Sequence, residues 1–214
     1  MVKILLVDDH ELVRSGIRLI LEGISTFSVV AEVKSGEEAI RYCRHDAPDI
    51  VLMDVNMPGI GGLEATKQIA RMSENIRVIC ISMHTENPIP AKVMQMGAFG
   101  FITKNAEPDE MVRAVHKVVA GQKYIAPEIA QQIAIGKLDL GDSNPFDQLS
   151  DRELEITLML VTGRRVPDIA DSLNISPKTI NTYRYRMFEK LEINSDVELT
   201  HLALRYKLIS PDFL

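Results

Sequence analysis

The chain has 214 residues, of which 46% are hydrophobic and 25% are charged, as is typical of a globular protein with one large or two small domains. The apolar runs are far shorter than the roughly 20 residues that span a bilayer, and the N-terminal run is too short for a signal peptide, so we expect a cytoplasmic protein. The net charge of −6 argues against general adhesion to nucleic acid, but residues 163–190 hold six Lys or Arg against three Asp or Glu and form a local basic patch.

Short apolar runs rich in Val and Ile alternate with helical patterns along the first 120 residues. Alternation of this kind predicts an α/β fold in which a parallel sheet has helices on both faces. Right-handed crossovers place the C-terminal ends of the strands along one edge, where ligands bind in such folds. The predicted strands are 4–7, 29–33, 50–53, 78–81 and 99–102, and the predicted helices are 10–24, 36–46, 62–73, 86–97 and 108–121.

The alternation stops after this region. A helix is predicted at 127–135, and residues 136–149, GKLDLGDSNPFDQL, have the Gly, Pro, Asn and Asp content of a linker. We expect a first domain at 1–122, a connecting helix and linker at 123–149, and a second domain at 150–214.

The second domain has helix signals and no strand signals. Ser150 and Glu153 form a capping-box pattern, and Ser176-Pro177 is a typical helix start, with an N-cap followed by a first-turn proline. Four short helices predict a small all-α domain. They are expected at 150–161, 166–173, 177–191 and 195–206.

Several polar residues follow predicted strands and should meet at the same edge of the sheet. Asp8 and Asp9 follow the first strand, Asp54 the third, Ser82 the fourth and Lys104 the fifth. An oxygen-only cluster of three carboxylates suits Mg²⁺, which would neutralise the oxygens of an incoming phosphoryl group. Asp54 is then a candidate nucleophile that becomes an aspartyl phosphate. The Ser82 hydroxyl would bond to the phosphoryl oxygens, and Lys104 would supply a fixed ammonium.

Each of these residues taken alone has a simpler explanation. An Asp pair after a strand often caps the following helix, and Asp54 alone is compatible with the turn that ends at Pro58-Gly59. Their joint occurrence, each at the end of a strand, favours the phosphoryl site.

The segments LLVDDHELVR, VLMDVNMPGIGGLE and GAFGFITK resemble the receiver domain of two-component response regulators. The resemblance spans residues 1–120 and implies a flavodoxin-like, doubly wound, five-stranded parallel sheet of order 2-1-3-4-5. It implies that Asp8 and Asp9 hold Mg²⁺, together with Asp54 and the backbone carbonyl of Asn56. Asp54 would be the phosphoacceptor.

The same resemblance assigns two further roles at this edge. Ser82 would be the switch hydroxyl, and Lys104 would bind the phosphate. Phe101 stands where receivers carry a rotating aromatic side chain, although a plain core residue of the fifth strand explains it equally well.

Residues 166–173, a turn at 174–176 and the helix from Pro177 together predict a helix-turn-helix. Such a unit places its second helix in the major groove of DNA. The alternative is a solvated charged face on a helical bundle, but the spacing and the reversed local charge favour DNA binding. Candidates for the outer face are Lys178, Asn181, Thr182, Arg184, Tyr185 and Arg186.

This half is similar to the LuxR-type helix-turn-helix of the NarL/FixJ class, through LSDREL, IADSLNISPKTINTYRYRMFEKL and NSDVEL. The whole chain most resembles the GacA/UvrY/LetA group. By position, the resemblance implies base contacts from Asn181, Thr182 and Tyr185. Many relatives carry Lys at the position of Asn181, so the base preference of the class does not transfer directly. The implied phosphate contacts are Lys178, Thr179, Arg184, Arg186 and Lys190.

We therefore expect a phosphorylation-controlled transcription regulator. Its partners would be a sensor histidine kinase and double-stranded promoter DNA, which it would bind as a homodimer. The receiver would assist its own phosphorylation, but the chain would be a signalling switch rather than a metabolic enzyme.

Two other classes of function compete with this prediction. A phosphohydrolase with an aspartyl-phosphate intermediate needs a second Asp two residues after the nucleophile, and this chain has Asn56 there. A protein-interaction adaptor would need no DNA contact and would leave the basic patch unexplained.

Overall fold

The computed structural model describes residues 1–83, 89–138, 144–206 and 208–209, with the backbone alone for 135–138. The described residues of 1–83 and 93–128 form one compact unit, and those of 89–92 and 129–209 form another. None of the helices in these ranges combines the length and the apolar character needed to cross a bilayer.

The first unit alternates strands and helices as the sequence predicts. Residues 86–88 of the predicted fourth helix lie outside the described ranges. The elements are β1 (Val2–Val7), α1 (Glu11–Glu22), β2 (Phe27–Val33), α2 (Gly36–His45), β3 (Ile50–Asp54), α3 (Gly61–Met72), β4 (Arg77–Ser82), α4 (Ile89–Gln95), of which 89–92 are counted with the second unit, β5 (Gly100–Thr103), α5 (Pro108–Val119) and β6 (Tyr124–Ile125).

The described strands form one parallel sheet of order β2-β1-β3-β4-β5-β6. The predicted α/β class and the order 2-1-3-4-5 are confirmed. The predicted number of five strands is wrong, because Tyr124 and Ile125 add a sixth strand beside Gly100 and Phe101. A strand of two residues is too short for a pattern of its own, and it forms through pairing with its neighbour.

One face of the sheet packs against α1 and α5. Every second residue of the central strands points to this face, as the period of a strand requires, and Ile4, Ile50 and Ile79 are fully buried there. Ile17 and Leu21 from α1, and Val115 and Val118 from α5, cover them. On the other face, α2 and α3 pack against each other.

The second unit is helical. Its elements are α6 (Pro127–Leu138), which starts in the first unit, a 3₁₀ helix (Pro145–Gln148), α7 (Asp151–Val161), α8 (Val166–Ser172), α9 (Pro177–Leu191) and α10 (Asp196–Arg205).

The predicted helix starts of this unit are confirmed. Ser150 and Glu153 form the full capping box of α7. The Ser176 hydroxyl accepts from the Thr179 N–H at 3.1 Å and caps α9, whose first residue is Pro177. These bonds satisfy backbone donors that a helix start leaves without a partner.

The predicted linker at 136–149 contains regular structure where it is described. Residues 139–143 lie outside the described ranges. Helix α6 continues to Leu138, and the Asn144 side chain caps the 3₁₀ helix by accepting from the Phe146 N–H at 3.0 Å. The Phe146 ring is fully buried and lies edge-on to Tyr206. Its burial explains why a segment of turn-forming composition is ordered here.

Helices α8 and α9 form the predicted helix-turn-helix. Asn174, in the turn between them, adopts a left-handed backbone conformation with a φ of 51°, which Asn tolerates better than most residues. Ile169, Ala170 and Ile180 are fully buried, as expected for residues that pack the two helices together.

Candidate functional site

The polar residues predicted at the strand ends lie together at one edge of the sheet. Asp8 follows β1, β3 ends at Asp54, β4 ends at Ser82, and Lys104 directly follows β5. β1, β3, β4 and β5 are neighbours in the sheet, and Ser82 pairs with Thr103 across the last two of them. Strand order therefore brings four separate chain segments to one place.

Lys104 joins the two buried carboxylates of this site. Its Nζ lies 2.7 Å from Asp8 Oδ2 and 2.8 Å from Asp54 Oδ2. Asp8 is 3% exposed and Asp54 only 1% exposed. Because a buried carboxylate is costly unless it is paired, the ammonium offsets part of the cost of keeping both acids at the edge.

The Asp54 carboxylate remains electrostatically strained despite this pairing. Burial raises the pKa of Asp54 to about 6, Lys104 opposes the increase, and the Asp8 charge adds to it. Burial alone would lower the pKa of Lys104, but the Asp54 and Asp8 carboxylates together raise it above its usual value. The site thus has an excess of negative charge that one lysine does not neutralise.

The acidic cluster has the donor set of a divalent cation site. Asp8, Asp9, His10 and Asp54 each offer a ligand atom, and these atoms lie within 4.8 Å of one another. Within the described part of the chain, Asp9 Oδ1 is buried without a well-formed hydrogen bond, although His10 Nδ1 lies 3.0 Å away. Three carboxylates fit a hard cation such as Mg²⁺, which prefers oxygen ligands.

His10 is a member of this cluster that the sequence prediction missed. Its backbone N–H donates to Asp8 Oδ1 at 2.8 Å, and its ring Nδ1 lies 3.2 Å from the same oxygen. Its place directly after the acidic pair was a signal that could have included it.

Arg14 was also missed, and it holds the backbone at Asp8, in the segment that carries the acidic pair. This buried side chain donates from Nη1 to the backbone carbonyl of Asp8 at 2.7 Å. Arg14 precedes Ile17 and Leu21 on the buried stripe of α1, so its helical register could have revealed an inward-facing arginine.

The backbone around Asp54 is fixed from two sides. The Asn56 N–H donates to Asp54 Oδ1 at 3.1 Å. A Cβ atom at Gly62, in the first turn of α3, would lie 1.9 Å from the Asp54 carbonyl oxygen. The GG pair of the sequence motif thus permits α3 to start directly against the end of β3.

Ser82 and Phe101, both predicted to act in a switch, are fully buried. Phe101 lies in β5 opposite Cys80 of β4. The interpretation of Phe101 as a core residue is confirmed. Its role as a rotating aromatic stays a prediction.

Five of the eight predicted DNA-contact residues are exposed, namely Lys190 near the C-terminal end of α9 and four residues on the outer face of this helix. Lys178, Thr182, Tyr185 and Arg186 are exposed, and Tyr185 is 73% exposed although it is a large aromatic residue. Aromatic, cationic and hydroxyl groups on one helix face are the groups that contact bases and phosphates.

Side-chain partners within the protein contact four of the predicted DNA-contact residues, namely Thr179, Asn181, Arg184 and Lys190. The Thr182 hydroxyl donates to the Lys178 carbonyl oxygen at 3.0 Å. The Thr179 hydroxyl lies 2.8 Å from that of Ser176. Arg184 pairs with Asp196 of α10 and donates to Asn181 Oδ1 at 2.8 Å.

Lys190 also has partners, and they lie at the start of α7 and just before it. Its Nζ lies 2.7 Å from Glu153 Oε2 and 3.4 Å from the Gln148 carbonyl oxygen. Burial alone would raise the pKa of Glu153, but the Lys190 and Ser150 contacts lower it below its usual value. This ion pair fastens the C-terminal turn of α9 to the capping box.

Two family models match the two halves of the chain. The model described as the response regulator receiver domain matches residues 4–116, and the model for bacterial regulatory proteins of the luxR family matches residues 147–203. The fold and the acidic edge define the class: a receiver domain followed by a LuxR-type DNA-binding domain.

Known response regulators match this chain over its full length and narrow the family to which it belongs. The chain is 54% identical to response regulator UvrY of Escherichia coli (strain K12), covering 100% of this chain and 99% of the relative. It is 49% identical to response regulator GacA of Pseudomonas aeruginosa, covering 98% of both. The chain therefore belongs to the two-component response regulators with a LuxR-type helix-turn-helix, a family of DNA-binding transcription regulators, as its sequence predicts.

Solved structures of other response regulators are similar to all or part of this chain. RcsB from Salmonella enterica serovar Typhimurium, bound to promoter P1flhDC in the presence of phosphomimetic BeF₃⁻, has a TM-score of 0.72 and 25% identity, covering 94% of this chain and 97% of that one. A LuxR-family response regulator from Aurantimonas sp. SI85-9A1 has a TM-score of 0.62 and 39% identity, covering 64% of this chain and 98% of that one.

Proposed function

We propose that Asp54 accepts a phosphoryl group from a sensor histidine kinase in a Mg²⁺-dependent step, and that this modification controls DNA binding by α9. The observation that carries the proposal is the contact of Lys104 with both Asp54 and Asp8 beside the four-residue acidic cluster. A nucleophile, a cation and a metal-ligand set meet at one edge. We also propose that the working domains are 1–122 and 150–214, joined by 123–149.

The chemical step follows from the positions of these groups. A carboxylate oxygen of Asp54 attacks the phosphorus, and the bond from phosphorus to the histidine nitrogen of the donor breaks. Mg²⁺, held by Asp8, Asp9, Asp54 and the Asn56 carbonyl, would neutralise charge on the phosphoryl oxygens. Lys104 shifts from pairing two carboxylates to pairing one carboxylate and the phosphoryl group.

The switch then starts at the ends of β4 and β5. The added phosphoryl group brings strong hydrogen-bond acceptors next to the buried Ser82, and Ser82 pairs with Thr103 in the neighbouring strand. Rearrangement there is the local event, and Phe101 in the same strand is the side chain proposed to respond.

The output is DNA binding by the exposed face of α9. We assign Thr182 and Tyr185 to base contacts and Lys178 and Arg186 to phosphate contacts, because these four side chains are exposed on the helix that follows the turn. A homodimer on a two-fold-related site is the proposed active form. RcsB dimers bound to DNA support this assembly by similarity.

Phosphorylation by acetyl phosphate tests the proposal directly. With Mg²⁺ present, we expect intact-mass measurement to show one phosphoryl adduct on the wild-type chain and on Asp46→Asn, which changes an exposed carboxylate outside the site. Asp54→Asn should show no adduct, and a chelator should suppress the wild-type reaction. An adduct on Asp54→Asn, or equal labelling without a divalent cation, would contradict the assignment.

A further inference from the structure

Three side chains at the outer face of the DNA-binding domain form a chain of contacts that the proposed function does not use. Asp196, in the first turn of α10, accepts from the Arg184 guanidinium, with 3.1 Å between Arg184 Nε and Asp196 Oδ1 and a second contact from Arg184 Nη2 to Asp196 Oδ2. Arg184 Nη1 donates in turn to Asn181 Oδ1 at 2.8 Å. The guanidinium also lies over the Phe188 ring, with Cζ 5.6 Å from the ring centre.

These contacts fix which end of the Asn181 amide is free. A guanidinium has five N–H donors and no acceptor, so the amide must turn its carbonyl oxygen towards Arg184. The NH₂ group of Asn181 then points away from that contact. Asn181 is partly exposed and lies one helical turn from the exposed Lys178 and Tyr185, so it lies at the helix face proposed to enter the groove.

The same contacts make Arg184 a poor phosphate ligand. Its charge is balanced by the two-point contact with Asp196, and its guanidinium group lies over the Phe188 ring. Arg186, by contrast, is exposed on the same helix. Two arginines two residues apart in the sequence therefore have different environments.

We propose that Arg184 is a positioning residue that makes Asn181 a donor-only reader of bases. An asparagine reads adenine with both ends of its amide, because it accepts from N6 and donates to N7. With its oxygen directed at Arg184, Asn181 presents its NH₂ donors to the groove. It then favours guanine, which offers O6 and N7, or thymine, which offers O4, over adenine, whose N7 acceptor lies beside the N6 donor and which needs the amide oxygen for a two-point contact. This inference rests on the proposed insertion of α9 into the major groove.

The test is selection of bound sequences from a randomised duplex library by the full-length chain treated with acetyl phosphate and Mg²⁺. Asn181→Ala identifies the base pair that Asn181 reads. At that pair alone, the preference of this variant for one base over the others should fall by about tenfold relative to the wild type. At that pair the wild type should select guanine or thymine. Asn181→Lys, which is also donor-only, should keep a preference for acceptor edges.

Two variants test the positioning role separately. Arg184→Met and Asp196→Asn should both shift the preference at that pair towards adenine, since each releases the amide oxygen. Affinity for unselected duplex and its salt dependence should change less than twofold, and circular dichroism should show the same helix content. Loss of a phosphate contact would not make the removal of a cation, in Arg184→Met, and the removal of an anion, in Asp196→Asn, shift the base preference in the same direction.

Three results would overturn the inference. One is that Arg184→Met weakens binding to all sequences equally and lowers the slope of log affinity against log salt by about one, as loss of a phosphate contact does. Another is an unchanged base preference for Asn181→Ala. The third is selection of adenine by the wild type at the pair that Asn181→Ala identifies. Absence of binding to any duplex at low salt would instead refute the proposed DNA-binding role of α9, on which the inference rests.

Discussion

Asp54 carries a free-energy cost that its proposed function explains. A nucleophilic carboxylate must be ionised, yet this one is almost fully buried and its pKa is raised to about 6. Asp8 is buried beside it, and Lys104 compensates only in part. A cation that binds the cluster removes the remaining cost, which couples metal binding to the stability of the receiver fold.

Asp54→Asn is therefore expected to stabilise the protein at neutral pH. The folded-state pKa of Asp54, about 6, is higher than the ordinary value of 3.8. The protonated carboxyl therefore contributes its full stabilisation of the folded state below about pH 3.8, and this stabilisation is lost as the pH rises through about 6. The variant should gain about 3 kcal/mol in the free energy of unfolding at pH 7, measured by urea titration without Mg²⁺. The gain should shrink as the pH falls towards 4.

The control for this measurement is the exposed Asp46→Asn, which should not alter stability at either pH. Adding Mg²⁺ should stabilise the wild type more than Asp54→Asn. A variant less stable than the wild type at pH 7 would show that the Lys104–Asp54 pair outweighs the burial of the carboxylate.

At the scale of elements, α9 has an exposed face that is proposed to contact DNA and a C-terminal end held by an ion pair. Lys190 was predicted to contact phosphate, but its ammonium reaches Glu153, which is 3% exposed, in the capping box of α7. The periodicity of α9 could not reveal this contact, because the partner comes from a helix more than 30 residues earlier. Lys178, at the other end of α9, is exposed.

Lys190→Met and Lys178→Met form a matched pair that separates stability from DNA binding. Lys190→Met should cost about 1–2 kcal/mol in the free energy of unfolding, because it leaves a buried carboxylate without its cation. Lys178→Met should leave stability unchanged and lower the salt dependence of DNA binding. Chemical denaturation and binding titrations at several salt concentrations measure both effects. If Lys190→Met lowered the salt slope and kept full stability, Lys190 would be a phosphate contact.

At the scale of the whole molecule, the sequence predicted what depends on local pattern. Strand ends, helix caps and the helix-turn-helix follow from apolar periodicity and from residues such as Ser150 and Pro177, so their positions were predicted closely. The sixth strand, the Lys190–Glu153 pair and the Arg184–Asp196 pair depend on contacts between separate elements. Local pattern carries little information about such contacts, and these features were missed.

The claim that joins the two domains is that phosphorylation of Asp54 controls DNA binding by α9. The most direct measurement is fluorescence anisotropy of a labelled duplex, chosen from the selected library, titrated with full-length wild type and Asp54→Asn, each with and without acetyl phosphate and Mg²⁺. The account predicts that treatment changes the affinity of the wild type and leaves that of Asp54→Asn unchanged. An equal response of the two proteins, or no response of a wild type shown by mass to be phosphorylated, would contradict it.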